Sequence, residues 1–239
     1  MTMKNKSSLT IPQAVKVYTG NSFIANTLEA SAVFIGILCF IIVVGLTIAA
    51  ISKGFDIDAM KESFINNRKS GGTYVLDIYI GMFASLFPAL MSLAGYTKDY
   101  PGGKYFRTVQ GGFDTFRKFT IGSYIAAFIE IAIFFLFIVL SQIYRLTTNG
   151  LTFVISMFIF CLLCTPVTRL TITIRNIFLR GMALAISCLL TTGAGVMTPT
   201  LAPGVRAVIL AAAIVFTIVL TPISLKVYLK NYRQHLWTE

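Results

Sequence analysis

The sequence predicts an all-α polytopic membrane protein with six transmembrane helices and both termini in the cytoplasm. Its composition, its long apolar segments and its alternating basic loops support this prediction. Of 239 residues, 56% are hydrophobic and only 12% are charged, with a mean hydropathy of +0.80. Soluble domains contain roughly 25% charged residues. A soluble core in a chain of this size cannot bury so much apolar surface, so lipid is the expected solvent.

Six segments are apolar enough to cross a hydrocarbon core about 30 Å thick, which takes roughly 20 helical residues. They are predicted at about 31–52, 74–96, 119–143, 150–168, 182–199 and 206–226. The stretch 167–181 is apolar but contains three arginines, so we expect a helix end followed by a short interfacial turn. The chain therefore divides into a cytoplasmic N-terminal segment (1–30), a transmembrane domain (31–226) and a cytoplasmic tail (227–239).

The orientation follows from the positive residues of the loops, which favour the cytoplasmic side. Fourteen of the 20 lysines and arginines lie in the N-terminal segment, the loop 97–118, the turn after the fourth span and the C-terminal end from Lys226 onward; six lie on the opposite side. Both termini are thus predicted to be cytoplasmic. The net charge of +11 is explained by a basic inner surface facing anionic lipid, and no nucleic-acid partner is expected.

The N-terminal segment has the pattern of a short amphipathic helix. Ile11, Val15 and Tyr18 recur at helical spacing, and Gly20 is a natural stop. Such a helix would lie on the inner leaflet, with a disordered tail as the alternative. No cleavable signal peptide is expected, because the first thirty residues are too long and polar for one.

The sequence contains no arrangement of residues typical of an enzyme or a metal site. Cys161 and Cys164 have zinc-like spacing, but no second pair or histidine accompanies them. Like Cys39 and Cys188, they are expected to be buried small side chains within spans. The single histidine, His235, lies in the tail. We therefore predict no catalytic residue, no metal site and no cofactor bound by this chain.

Two acidic residues fall within the predicted spans. Glu130 lies near the middle of the third, where an ionised side chain costs roughly 3 kcal/mol. It is either a translocation-path or gating residue, or a packing residue hydrogen-bonded to neighbours such as Ser85, Ser156 or Thr217. Asp77 lies about one turn inside the second span, within reach of water at the outer leaflet.

The fifth predicted span is rich in small residues, which let membrane helices approach closely. Gly193 and Gly195 belong to this set. We expect this helix to pack against its neighbours; the alternative is a break in the helix near Pro199.

The loop 97–118 is the most specific stretch of the chain. It has a Pro-Gly-Gly break, then Lys104-Tyr-Phe-Arg107, a second pair of glycines, and Phe113-Asp114-Thr-Phe116-Arg117-Lys118. Asp114 and Lys118 have the spacing of a helical ion pair. Short amphipathic helices on the cytoplasmic surface fit this pattern, and an ordinary basic loop on lipid headgroups is the alternative.

The Lys104-Tyr-Phe-Arg107-Thr-Val-Gln motif resembles the corresponding loop in permeases of the type-2 ATP-binding-cassette transporters. The resemblance implies a coupling helix that docks on a separate nucleotide-binding subunit. The N-terminal helix, at roughly 10–28, is similar to the connecting helix of that family. The motif covers about fifteen residues, and Val109-Gln110 stands where the family has Leu-Pro. The residues expected to contact the ATPase are Lys104, Arg107, Phe113, Phe116 and Arg117.

The resemblance implies the permease subunit of an exporter in the bacterial plasma membrane. Such a subunit works with a second permease, either a copy or a paralogue, and with a cytoplasmic ATPase that binds ATP and magnesium. Two other readings stay open. One is a membrane scaffold or bacteriocin-immunity protein that transports nothing, and the other is the substrate-binding component of a vitamin importer.

Overall fold

The computed structural model describes residues 9–52, 54–56, 58, 111–140, 150–174 and 176–233. Within these ranges the regular structure is helical, and no strand is present. The helices are α1 (Ile11–Thr19), α2 (Phe23–Ser52), α3 (Gly112–Leu140), α4 (Gly150–Ile172), α5 (Ile177–Met197) and α6 (Pro203–Arg233), with a 3₁₀ turn at Thr198–Thr200. The predicted span 74–96 lies outside the described residues, as do Asp77, Ser85, Lys104 and Arg107.

In the part of the chain that the structure describes, five helices, α2 to α6, are long and apolar enough to span a membrane. The prediction of an all-helical membrane protein is thus confirmed in its main feature. Three of these helices extend well beyond the predicted spans. Helix α2 begins at Phe23, α3 begins at Gly112 and α6 continues to Arg233. A helix satisfies its own backbone hydrogen bonds, so it can continue past the apolar stretch into amphipathic sequence.

Helix α4 forms the centre of the described bundle, where it packs against α3, α5 and α6. More than half of the residues in its most apolar stretch are buried, whereas few residues are buried in the most apolar stretches of α2 and α6. In a bilayer such apolar faces are covered by lipid or by other membrane helices. The main hydrophobic cluster is formed by α2, α3, α4 and α5 and contains Leu38, Ile131, Phe134, Phe135, Ile138, Phe153, Val154, Met157, Cys161 and Val196.

The connection between α4 and α5 is the short turn expected from the sequence. Helix α4 ends at Ile172, and α5 begins after Asn176. The Asn176 side chain caps α5 by accepting hydrogen bonds from the backbone N–H groups of Phe178 and Leu179, at 2.9 and 3.1 Å. This cap satisfies two backbone donors that the first turn of a helix leaves without partners.

Helices α4 and α5 pack closely at one glycine of the small-residue helix. A Cβ atom at Gly195 would collide with the Met157 sulfur and would lie 3.5 Å from the Met157 Cα, whereas a Cβ at Gly193 would meet open space. The packing predicted for this helix is therefore present at Gly195. The helix does not break at either glycine; it ends at Met197, just before the 3₁₀ turn that contains Pro199.

Helix α1 has the boundaries that its sequence pattern suggests. Gly20 ends it with a positive φ of 82°, and its backbone N–H donates to the Lys16 carbonyl. The connecting helix expected over 10–28 is not continuous, because α1 stops at Thr19 and α2 starts at Phe23. The buried face of α1, formed by Ala14, Val15 and Tyr18, packs mainly against α3.

Candidate functional site in the membrane interior

The last part of the predicted coupling loop, residues 112–118, forms the first turns of α3. Asp114 is paired there with Arg117 at 2.7 Å and with Lys118 at 2.8 Å, so the helical ion pair expected from the sequence is present. Phe113 and the Arg117 side chain are both exposed. A solvent-exposed ion pair of this kind contributes at most about 1 kcal/mol to stability.

Phe116 is buried, whereas a contact with another subunit would need an exposed side chain. Its side chain is completely buried within the chain, with its ring centroid 6.1 Å from that of Tyr18, 6.2 Å from Phe119 and 6.0 Å from Tyr228. It thus joins α3 to α1 and α6. A ring enclosed in this way is not an exposed anchor for another subunit, so the expected contact at Phe116 is replaced by an internal one.

Helix α1 sits on α3 through a stacked aromatic pair and a glycine. The Tyr18 and Phe119 rings lie 3.7 Å apart at an interplanar angle of 16°. One turn further along α3, a Cβ atom at Gly122 would lie 2.7 Å from Val15 Cγ2 and 3.0 Å from Ile11 Cγ2. A larger residue at position 122 would force Val15 and Ile11 to shift, so the position of α1 depends on a glycine within the membrane helix.

Arg169 of α4 lies in the interior of the bundle and connects three helices. It is only 4% exposed. Its Nη1 donates to the Ser123 hydroxyl at 2.9 Å. Its guanidinium carbon lies 4.2 Å from the centroid of the Tyr124 ring and 5.9 Å from that of Tyr228. Desolvated cation–π contacts of this kind stabilise by about 2 kcal/mol or more.

Hydrogen bonds hold the partners of Arg169 in place. Ser123 donates to the Thr120 carbonyl at 2.8 Å, which leaves its oxygen free to accept from Arg169. Ser224 of α6 donates to the Thr221 carbonyl at 2.9 Å, and its oxygen is hydrogen-bonded to the Tyr124 hydroxyl. We refer to Ser123, Tyr124, Arg169, Ser224 and Tyr228 as the Arg169 cluster.

Sequence reasoning missed the Arg169 cluster, because it assigned Arg169 to the basic turn after the fourth span. The signal that was available in the sequence is the apolar stretch around Arg169, which is long enough to extend a helix. In the structure α4 does continue through Arg169 to Ile172. Since an arginine inside a membrane helix is costly without polar partners, its neighbours on other helices could have been sought. Which residues these are is decided by helix packing.

Glu130 is completely buried in α3, and neither carboxyl oxygen has a hydrogen-bond partner among the described residues. Two of the hydrogen-bond partners expected for Glu130 do not bond to it. The Ser156 hydroxyl is also buried without a partner in this part of the chain, and Thr217 donates to the Ala213 carbonyl. Ser85, the third, lies outside the described residues. A hydrogen-bonded packing role for Glu130 therefore has no support among these residues.

The buried cysteines lie between α4 and α5. Cys161, Cys164 and Cys188 are buried as expected, and Cys164 and Cys188 form a small cluster of their own. Cys39 differs from the expectation, because it lies on the exposed surface of α2. In the described ranges no three or more cysteine, histidine or acidic side chains come close enough to hold a metal ion.

The fold and this site define a helical integral membrane protein with a polar network in its interior. No protein-family model matches the chain, and neither a curated protein nor a solved structure matches it.

Proposed function

We propose that this chain is the permease subunit of an ATP-binding-cassette exporter, driven by a separate ATPase through the loop 97–118. The observation that carries the proposal is the continuity of α3. The end of that loop, at 112–118, is the beginning of the helix that also carries Glu130 and two members of the Arg169 cluster, Ser123 and Tyr124.

A continuous helix transmits displacement because its backbone is hydrogen-bonded throughout. Gly112 and Glu130 are eighteen residues apart, which corresponds to about 27 Å along the axis. A push on the cytoplasmic end of α3 therefore moves Glu130, deep in the membrane, as part of the same rigid element. Such rigid-body movement of packed helices is a common basis of switching between discrete arrangements.

The contact with the ATPase is assigned to the accessible residues of the loop. Phe113 and Arg117 are exposed at the start of α3, and Lys104 and Arg107 precede them in the motif. Phe116 acts on the inner side, where it holds α3 against Tyr18 of α1. In this arrangement the loop binds the partner and the buried ring passes the movement to α1 and α6.

The proposal also includes a translocation path and two partner subunits. Glu130 is assigned to the translocation path or its gate, together with Asp77 of the second span. A second permease, identical or related, completes the path, and the ATPase supplies the ATP and magnesium sites. The proposed location is the bacterial plasma membrane.

Co-purification from the native membrane tests the proposal. The tagged wild-type protein is expected to retain an ATPase subunit, whereas Arg107→Glu is expected to lose it because the charge at the docking surface is reversed. Lys226→Glu is the matched control, since Lys226 is an exposed lysine on α6 at the side predicted to be cytoplasmic.

Either of two results would contradict the proposal. If Arg107→Glu retains and stimulates the ATPase as well as wild type does, the coupling role of the loop is wrong. If the wild-type protein retains no ATPase while remaining folded, the non-transport scaffold becomes the better assignment.

A further inference from the structure

Glu130 occupies a site that suits a neutral acid. Its side chain is completely buried, and its neighbours Ile131 and Phe134 on the same helix belong to the main hydrophobic cluster. Both of its oxygens are without a hydrogen-bond partner among the described residues. An ionised carboxylate in such surroundings costs several kcal/mol, whereas a protonated carboxyl carries no net charge and costs much less.

Arg169 is the cation in the same interior, and it is bonded elsewhere. Its Nη1 donates to Ser123 and its guanidinium lies over the Tyr124 ring. Its Nε is buried and has no hydrogen-bond partner in the described part of the chain. Arg169 therefore has one N–H donor, at Nε, that no described residue accepts.

The geometry of α3 and α4 brings these two side chains toward each other. Phe135 contacts Phe158 at 5.6 Å between ring centroids, and Ser123 bonds Arg169, so the two helices are antiparallel. Ser123 and Glu130 are seven residues apart, which places them on nearly the same face, about 10 Å apart along the axis.

Side chains on a helix lean toward its N-terminus. On α3 the Glu130 side chain therefore leans along the helix toward Ser123. On the antiparallel α4 the Arg169 side chain leans in the opposite direction, toward Glu130. A change of side-chain conformation within two turns of helix can therefore bring the two groups together.

We propose that Glu130 is a proton-binding site in the membrane interior, and that loss of the proton pairs its carboxylate with Arg169. The carboxyl O–H bond breaks, the proton passes to water, and the carboxylate accepts a hydrogen bond from the Arg169 Nε–H. Pairing draws the guanidinium away from Ser123 and Tyr124. The protonation state of Glu130 thus determines whether Arg169 is hydrogen-bonded to Glu130 or to the other residues of the Arg169 cluster. This inference does not depend on an ATPase.

The other titratable groups on helices packed against α3 do not replace Arg169 in this role. Lys16 of α1, Glu29 and Cys39 of α2, and Lys226 and Lys230 of α6 are exposed. Arg206 of α6 is half-buried, and its Nη1 donates to the Pro199 carbonyl at 3.4 Å. The buried groups are Tyr18, Cys161, Cys164 and Tyr228, and all four are uncharged when protonated. Among the described residues, Arg169 is the buried cation on these helices.

Infrared spectroscopy of the full-length protein tests the site directly. The protein is placed in nanodiscs of phosphatidylethanolamine and phosphatidylglycerol at neutral pH, and the carbonyl band of protonated carboxyl groups is recorded. Wild type is expected to show a band that disappears in Glu130→Gln and persists in the matched control Glu29→Gln. If Glu130→Gln removes no such band, the proposal is wrong.

The stability of the Glu130→Gln variant gives a second, independent readout. Glutamine copies the shape and the donor of a protonated carboxyl, so this variant is expected to unfold at the same temperature as wild type at neutral pH. A variant that fails to fold would show that the ionised carboxylate is the form the protein requires, and would overturn the proposal.

Pairing with Arg169 is tested by raising the pH. Wild type is expected to lose the Glu130 band as the carboxylate forms and binds Arg169. Arg169→Lys retains a cation and is expected to lose the band over a similar range, whereas Arg169→Gln is expected to retain it. Loss of the band in Arg169→Gln over the wild-type range would exclude Arg169 as the partner. Association with an ATPase is unaffected by either result, so the two proposals can fail separately.

Discussion

Arg169 holds its guanidinium carbon 4.2 Å from the centre of the Tyr124 ring, in the interior of the helix bundle. The same Tyr124 side chain bonds Ser224 of α6 through its hydroxyl. One aromatic residue thus links the buried cation of α4 to a third helix, and its ring and its hydroxyl can be separated by mutation.

Tyr124→Leu is expected to destabilise the protein by about 2–4 kcal/mol, because it removes both the ring face under Arg169 and the bond to Ser224. Tyr124→Phe is the matched control. It retains the ring and loses only the hydroxyl bond, so a loss of about 1 kcal/mol is expected. Unfolding in mixed micelles measures the difference. Equal effects of the two variants would show that the ring does not stabilise Arg169.

Gly195→Val is expected to destabilise the protein by about 1–3 kcal/mol, because the added side chain forces Met157 and α4 away from α5. Gly193→Val, two residues earlier on the same helix, has open space around its Cβ and is expected to be nearly neutral. Thermal unfolding in detergent checks both variants. A larger effect at Gly193 would place the contact face of α5 elsewhere.

Gly122→Val is expected to displace α1 from α3, since the new side chain would occupy the space of Val15 and Ile11. A cysteine introduced at Ala14, which is completely buried, reports the displacement through its reaction with a maleimide. An increase in the labelling rate on the order of tenfold corresponds to about 1.4 kcal/mol.

The control for this prediction is Gly36→Val in α2, where a Cβ atom meets no neighbour within 4 Å. Labelling at Ala14→Cys is expected to stay at the wild-type rate in this background. If both valine variants expose position 14 equally, the effect reflects general loosening and not the loss of the α1 seat.

The orientation of the chain is tested by cysteine labelling in intact cells. A cysteine at Lys104 is expected to react with an impermeant maleimide only after the membrane is opened, because the loop 97–118 is predicted to be cytoplasmic. A cysteine at Arg145, on the opposite side of the predicted topology, is expected to react without permeabilisation. Labelling of Lys104→Cys in intact cells would exclude contact with a cytoplasmic ATPase.

The helical membrane architecture could be predicted because it depends on local properties of the chain. Segments such as 31–52 and 119–143 are apolar over a length that matches the bilayer, and each one contributes independently. The ends of the helices were less accurate. Helix α3 begins at Gly112, seven residues before the predicted span, because packing of Phe116 against Tyr18 and Tyr228 stabilises turns that hydropathy alone does not mark.

The candidate site could be predicted only in part. Glu130 was identified because an acidic residue in an apolar span is unusual in any arrangement. Arg169 and its partners Ser123 and Tyr124 were not, because they lie more than forty residues apart along the chain. Their meeting depends on how α3 and α4 are rotated about their axes.

The sequence by itself determined that this protein forms long apolar helices suited to a membrane. The free energy of transferring each segment from water to the bilayer depends on the residues of that segment alone. Only the tertiary structure decided that Phe116 is enclosed, that Gly195 and not Gly193 is a packing glycine, and that Arg169 lies against Tyr124 while Glu130 is left without a partner among the described residues. The physical reason is that each of these outcomes depends on which faces of two distant helices meet, and packing between the helices settles that.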